Sequence, residues 1–216
     1  MSAGRTAALL LVLAAVTGCG GEPSPGTGPG VASPGGDRTA VARDDSQAGA
    51  DTPAEADAQA EADLPPCPAG ADVASRDEGL PRLTLDCLGE GPAVTLSGLR
   101  GKPLVVTVWA SWCPPCAQEM PRLEQVRRET QGRVQFLGID LLDRAGPALD
   151  AAAGFGMGFP SVQDPDGHTR QALAVPGPPV TLFVDAEGRV VHREVGEITS
   201  TDAVRDLVRR HLQVTA

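Results

Sequence analysis

The stretch Pro103–Pro121, "PLVVTVWASWCPPCAQEMP", leaves a chain few ways to fold. Its first half, "PLVVTVWA" from Pro103 to Ala110, is a near-continuous β-branched run. Such a run reads as a central strand buried on both faces. Three residues later comes Cys113-Pro114-Pro115-Cys116. Proline is tolerated in the first turn of a helix, where the backbone N–H groups have no intrahelical acceptor. Pro114 and Pro115 therefore start a helix, expected to run from Pro114 to Thr130. The cysteine pair falls where a strand ends and a helix begins. Pro121, deeper in that helix, is expected to kink it.

A Cys-x-x-Cys pair has three common uses. A closed zinc site needs four ligands, often two such pairs. Cys67 and Cys87 do not form a second pair, and His168, His192 and His211 fall on a turn, a strand and a terminal helix. No metal or other cofactor is expected. A purely structural bridge across so short a loop would constrain little unfolded chain. The third use is reversible thiol–disulfide chemistry, whose signature is a strand–Cys-x-x-Cys–helix context. Cys113 at the start of the helix lies near the positive pole of the backbone dipoles, which favours its thiolate. The two prolines remove two amide donors, so Cys116 N–H is the backbone donor expected at the Cys113 sulfur, and activation should be moderate.

The rest of the chain alternates in the same way. Short strands are expected at Leu83–Leu88 and Ala93–Leu96. Longer ones follow at Val134–Ile139 and Val180–Asp185, with a brief strand at Ser161–Gln163. Asp143–Gly154 and His168–Leu173 have helical composition. Ala186-Glu187-Gly188 turns a hairpin into Arg189–Val195. A last helix is capped by Ser200 or Thr201. The pattern predicts an α/β sandwich around a mixed sheet flanked by helices.

The first 66 residues do not fit that pattern. Residues 1–18 read as a signal peptide: Arg5, a ten-residue apolar run from Ala7 to Val16 and small residues beyond it. Cys19 follows directly, as in a bacterial lipobox, where it would be lipidated; the alternative is an ordinary signal peptide with a chance cysteine. Residues 19–66 are Gly-, Pro- and Ala-rich, and Gly20–Pro66 holds nine acidic residues against two basic ones. That composition cannot offset its chain entropy and reads as an acidic tether. Residues 67–216 are left as one domain. An exported chain lies in a compartment where disulfides persist. Only mildly acidic, the domain carries no sign of nucleic-acid binding.

Three segments together resemble the extracytoplasmic TlpA/ResA/DsbE-like thiol–disulfide oxidoreductases of the thioredoxin fold. "LRGKPLVVTVWASWCPPCAQEMP" resembles their strand, redox motif and kinked helix. "FPSVQDPDG" resembles their inserted segment, and "GPPVTLFVDAEGRVV" their cis-proline strand and hairpin. The resemblance implies that Cys113 is the exposed attacking thiol and Cys116 the more buried resolving one. Glu119 matches an active-site glutamate that tunes or relays a proton; its other reading is a solvated first-turn carboxylate. Pro179 matches the cis-proline, and Trp112 an aromatic beside the site, while Trp109 is expected in the core.

Two positions depart from the pattern. Thr107 stands where thioredoxin has a buried aspartate, so proton handling falls to water, Glu119 or the thiols. Pro178, before the cis-proline position, has no N–H to offer a substrate backbone. Cys67 and Cys87, outside the motif, read as one structural disulfide, with a second redox pair as the alternative.

The resemblance implies a membrane-anchored enzyme on the outer face of the cytoplasmic membrane, reducing disulfides of exported proteins, apocytochrome c among them. Its partners would be such cysteine-containing substrates, a membrane thiol carrier as donor, and the membrane through the lipid on Cys19. The alternatives are a disulfide-forming oxidant of the same fold, a Cu(I) carrier and a non-catalytic interaction module.

Overall fold

In the computed structural model, residues 64–215 are described. The expected signal peptide, Cys19 and nearly all of the expected tether lie outside the described residues. Seven strands follow in chain order: β1 Thr84–Cys87, β2 Val94–Thr95, β3 Leu104–Trp109, β4 Gln135–Leu141, β5 Ser161–Asp164, β6 Val180–Val184 and β7 Val190–Val195. They form one sheet in the order β2-β1-β5-β4-β3-β6-β7. The helices are α1 Pro114–Thr130, α2 Ala145–Gly154, α3 His168–Ala172 and α4 Thr201–Leu207, the last continued by a π-helical turn, Val208–Leu212.

β3 is buried at every residue because both faces of the sheet are covered. It pairs parallel with β4 and antiparallel with β6. Val105 and Trp109 point to one face, among Leu123 and Val126 of α1, Leu149 of α2 and Val204 of α4. Leu104, Val106 and Val108 point to the other, among Leu80, Leu96, Leu99 and Val175. The unbroken apolar run is thus two interleaved sets, split by the period of the strand.

Trp109 fixes the register of the sheet beneath the site. Its indole N–H donates to Ser161 Oγ at 3.0 Å, across Gly138 of β4. A Cβ at Gly138 would lie 2.7 Å from that nitrogen and 2.6 Å from the hydroxyl, so only glycine fits.

Most boundaries lie within one residue of the sequence expectation, and two differ by two residues. β4 runs past Ile139 to Leu141 because β5 continues beside it, Asp140 opposite Gln163 and Leu141 opposite Asp164. α2 begins at Ala145 rather than Asp143, because Asp143 is engaged elsewhere: its carboxylate accepts from Ser111 N–H at 2.6 Å and Arg144 N–H at 2.8 Å. Ser200 caps α4, its Oγ accepting from Ala203 N–H at 3.1 Å. Burial of the described chain begins at Leu64. Cys67 is bonded to Cys87 at the end of β1, with Cα atoms 5.9 Å apart, and Cys67 N–H donates to Glu90 carbonyl at 2.9 Å.

Candidate redox site

Cys113 is the N-cap of α1, with extended backbone, and Pro114 and Pro115 occupy the first helical positions. Cys116 N–H reaches the Cys113 sulfur at 3.3 Å. With the proline amides absent, this bond and the helix dipole are what the start of α1 offers to charge on that sulfur. Cys113 and Cys116 form a disulfide with Cα atoms 5.3 Å apart.

The exposure expected of Cys113 does not hold in this state. With the two cysteines bonded, Cys113 is only 3 % exposed and Cys116 1 %. Solvent meets Trp112 instead, 54 % exposed. Its indole N–H donates to the Leu142 carbonyl at 3.2 Å. Together with the bond from Ser111 N–H to Asp143, this fastens the approach to Cys113 onto the β4–α2 turn.

The peptide bond between Pro178 and Pro179 is cis. Val180, the next residue, pairs with Val108, which sets Pro179 level with Trp109, at the end of the sheet from which Cys113 departs. Pro179 is buried and Pro178 half-buried. At the rim Pro178 can present only a carbonyl to a bound chain.

Glu119 is not a solvated carboxylate. It is 1 % exposed, one turn beyond Cys116, on the core side of α1. Its Oε1 accepts from the Thr181 hydroxyl of β6 at 3.1 Å, and the Ile198 backbone N–H also donates to it. Burial pushes its pKa up to about 7, against the pull of those two bonds; the Glu197 carboxylate adds to the rise and Arg122 opposes it. Arg122 is occupied by Glu197 at 2.6 Å and by the Ile198 carbonyl at 3.0 Å. The reading of Glu119 as an exposed first-turn acid fails because helical spacing puts it on the same face as Cys116, Met120 and Leu123, all buried.

Thr107 is buried on β3, and its hydroxyl meets no hydrogen-bond partner among the described residues. Three participants escaped the sequence reading: Thr181 and Ile198, which hold Glu119, and Asp143, which holds Ser111. The only signal for Thr181 was its place two residues after Pro179 in an apolar strand. His192 and His211, read as lying on separate elements, stack with ring centroids 4.0 Å apart.

Residues 75–209 match the Redoxin family. The thiol:disulfide interchange protein DsbE homolog of Paracoccus denitrificans is 37 % identical over 99 residues, 45 % of this chain and 53 % of that protein. The chain thus spans about half the length of that relative. The thiol:disulfide interchange protein DsbE of Allochromatium vinosum is 34 % identical over 140 residues, 62 % of this chain and 76 % of that protein. A solved structure, a secreted Mycobacterium tuberculosis disulfide oxidoreductase homologous to E. coli DsbE, superimposes with a TM-score of 0.51 at 28 % identity, over 57 % of this chain and 91 % of that one. By this match and by its thioredoxin-like fold, the chain belongs to the Redoxin family, among relatives named as thiol:disulfide interchange proteins.

Proposed function

We propose that the chain is an extracytoplasmic thiol–disulfide oxidoreductase that reduces disulfides of exported proteins, apocytochrome c among the candidates, through Cys113 and Cys116. The observation that carries this reading is the Cys113–Cys116 bridge at the N-terminus of α1, with Cys116 N–H on the Cys113 sulfur and a cis-proline at the same end of the sheet.

In the reduced enzyme the Cys113 thiolate attacks one sulfur of a substrate disulfide. A mixed disulfide forms and the other substrate sulfur leaves as a thiolate. Cys116 then loses its proton and attacks the Cys113 sulfur, releasing the second substrate thiolate and closing the Cys113–Cys116 bond. Two electrons have passed to the substrate. Glu119, one turn from Cys116 and with a pKa of about 7, is the acid–base group for the Cys116 proton, in place of an aspartate at Thr107. A thiol donor in the membrane then reduces the bridge again.

Cys67–Cys87 is the structural bridge in this reading. The chain is organised as a signal peptide over residues 1–18, a tether over 19–66 and a catalytic domain over 67–216, anchored by lipid on Cys19 to the outer face of the cytoplasmic membrane. No helix among the described residues is long and apolar enough to cross a membrane.

The test is trapping. Cys116→Ser expressed in the host should accumulate partners disulfide-linked to Cys113, released by reductant and absent with Cys113→Ser. Absence of linked partners would remove the reading. A strongly reducing potential for the pair supports the stated direction, and an oxidising one reverses it.

A further inference from the structure

Asp140 is an acid in the wrong place for a structural residue. It sits near the end of β4, opposite Trp109 in a parallel pair, on the face of the sheet covered by α1. It is 1 % exposed, and neither of its oxygens meets a hydrogen-bond donor among the described residues. An ionised carboxylate buried in that condition costs on the order of several kcal/mol, even after the surroundings relax. The acid that bears on it most is the carboxyl of Asp143, three residues on. Asp143 already accepts Ser111 N–H on one oxygen and Arg144 N–H on the other, which suits a carboxylate. Two carboxylates cannot bond to each other; a carboxylic acid and a carboxylate can. A proton on Asp140 would give its buried carboxyl, which meets no donor, an acceptor in Asp143.

The charged groups that bear on Asp140 are Asp143 from the following turn and Asp164 from β5. Asp164 is itself held by the N–H groups of His168 and Thr169 and by the Thr169 hydroxyl, with the His168 ring at 3.5 Å. Burial first, then these two acids, push the pKa of Asp140 up to about 8. The proton is therefore bound at neutral pH.

We propose that Asp140 is a positioning residue of the redox site, a buried acid that donates its proton to Asp143 and so holds the turn that grips the approach to Cys113. The turn reaches that approach twice, through Asp143 to Ser111 N–H and through the Leu142 carbonyl to the Trp112 indole. Loss of the proton sets a second negative charge beside Asp143 and loosens the turn. It also places an anion on the sheet face beneath α1, which disfavours a thiolate at Cys113. Coupling is reciprocal: if Asp140 senses the thiolate, the redox state must shift the titration of Asp140.

This rests on the redox reading of Cys113–Cys116 but is tested without any substrate. The side-chain carboxyl carbon of Asp140 is followed by NMR against pH in the full chain, once oxidised and once reduced with a chemical dithiol. A midpoint near or above neutrality is expected in both states. It should be higher in the reduced protein by up to about one pH unit, the shift that a like charge exerts across roughly 10 Å at an effective dielectric constant of ~20. An ordinary carboxylate midpoint of about 4, or the same midpoint in both states, overturns the proposal. In Asp140→Asn the amide still donates to Asp143 but cannot titrate. Its Cys113 alkylation profile should therefore lack the alkaline inflection that the titration of Asp140 is expected to give the unaltered chain. Superimposable profiles also overturn the proposal. Should that variant not fold, the titration of the unaltered protein decides alone.

Discussion

The two cysteine pairs obey the same bond chemistry in different settings. Cys67 and Cys87 are 20 residues apart in sequence and join an irregular segment to the end of β1. Cys113 and Cys116 are three apart and join a helix cap to its own first turn. The first bridge closes a long loop and gains stability from it. The second closes almost nothing, yet it has an amide donor on one sulfur, a buried acid one turn away and a cis-proline at the same end of the sheet. Stability follows the length of the loop, and reactivity follows the groups that can take up charge. The same division separates two buried glutamates of α1. Glu124, although burial pushes its pKa up, is held below the ordinary range by bonds from Arg127 and Arg128. Glu119 has no guanidinium bonded to it among the described residues and rises to about 7. An acid clamped by two cations is fixed in one state, whereas one held by a hydroxyl and an amide can exchange its proton.

The contrast breaks most sharply in turnover. Cys113→Ser should lower disulfide reduction by roughly 10³-fold or more, the scale seen when a nucleophile is removed. Cys67→Ser with Cys87→Ser should leave it within about twofold. A loss of turnover in the double variant at a temperature where it remains folded would make Cys67–Cys87 a second redox pair.

Alkylation of the reduced domain by iodoacetamide comes next. Cys113, at the helix start, should react roughly tenfold faster than Cys116 near neutral pH, less the nucleophilicity lost as its thiolate is stabilised. Equal rates in the single-serine variants, or a faster Cys116, would exchange the roles of the two thiols.

Stability shows the reverse ranking. Loss of the Cys67–Cys87 bridge should cost about 3 kcal/mol by the loop-closure relation, and opening Cys113–Cys116 about 2 kcal/mol. Denaturant midpoints of the variants and of the selectively reduced protein give both figures. A larger cost at Cys113–Cys116 would reverse the assignment.

The smallest effect is in pH dependence. Glu119 has its pKa raised on folding, so its contribution to stability is complete below the ordinary glutamate value and is lost as pH rises through about 7. Glu119→Gln should flatten that decline and remove an inflection near neutrality from the rate at which Cys116 resolves a mixed disulfide. Glu124→Gln should leave the inflection in place. An inflection unchanged in Glu119→Gln would take Glu119 out of proton transfer.

The fold was legible where local chemistry and burial agree. β3, the start of α1 at Pro114 and the Ser200 cap each follow from a short run of residues whose preference the tertiary structure does not oppose. The site was half legible. Cys113 and Cys116 announce themselves by spacing and context, whereas the state of Glu119 depends on which face of α1 is covered and on Thr181 and Ile198, distant in sequence. Asp140 left a fainter trace, an acid inside the apolar run "FLGIDLL". Its partner three residues later looked like the beginning of a helix. The stacking of His192 on His211 left none, because neither strand nor helix periodicity relates residues that meet only when the C-terminal turn lies against β7.

The bridge between Cys67 and Cys87 also sets the route by which force enters the domain. A pull applied at Leu64 reaches Cys67 and crosses the sulfur–sulfur bond into β1, which is hydrogen-bonded to β2 on one side and β5 on the other. Residues 68–86 are bypassed and carry no load. With the bond cut, the same pull would run through that segment first, and its 20-residue span could lengthen to roughly 70 Å before the sheet was stressed. The disulfide therefore hands tension from the N-terminal side straight to the end of β1, past residues 68–86, so that the sheet takes the load without a preceding stretch of slack.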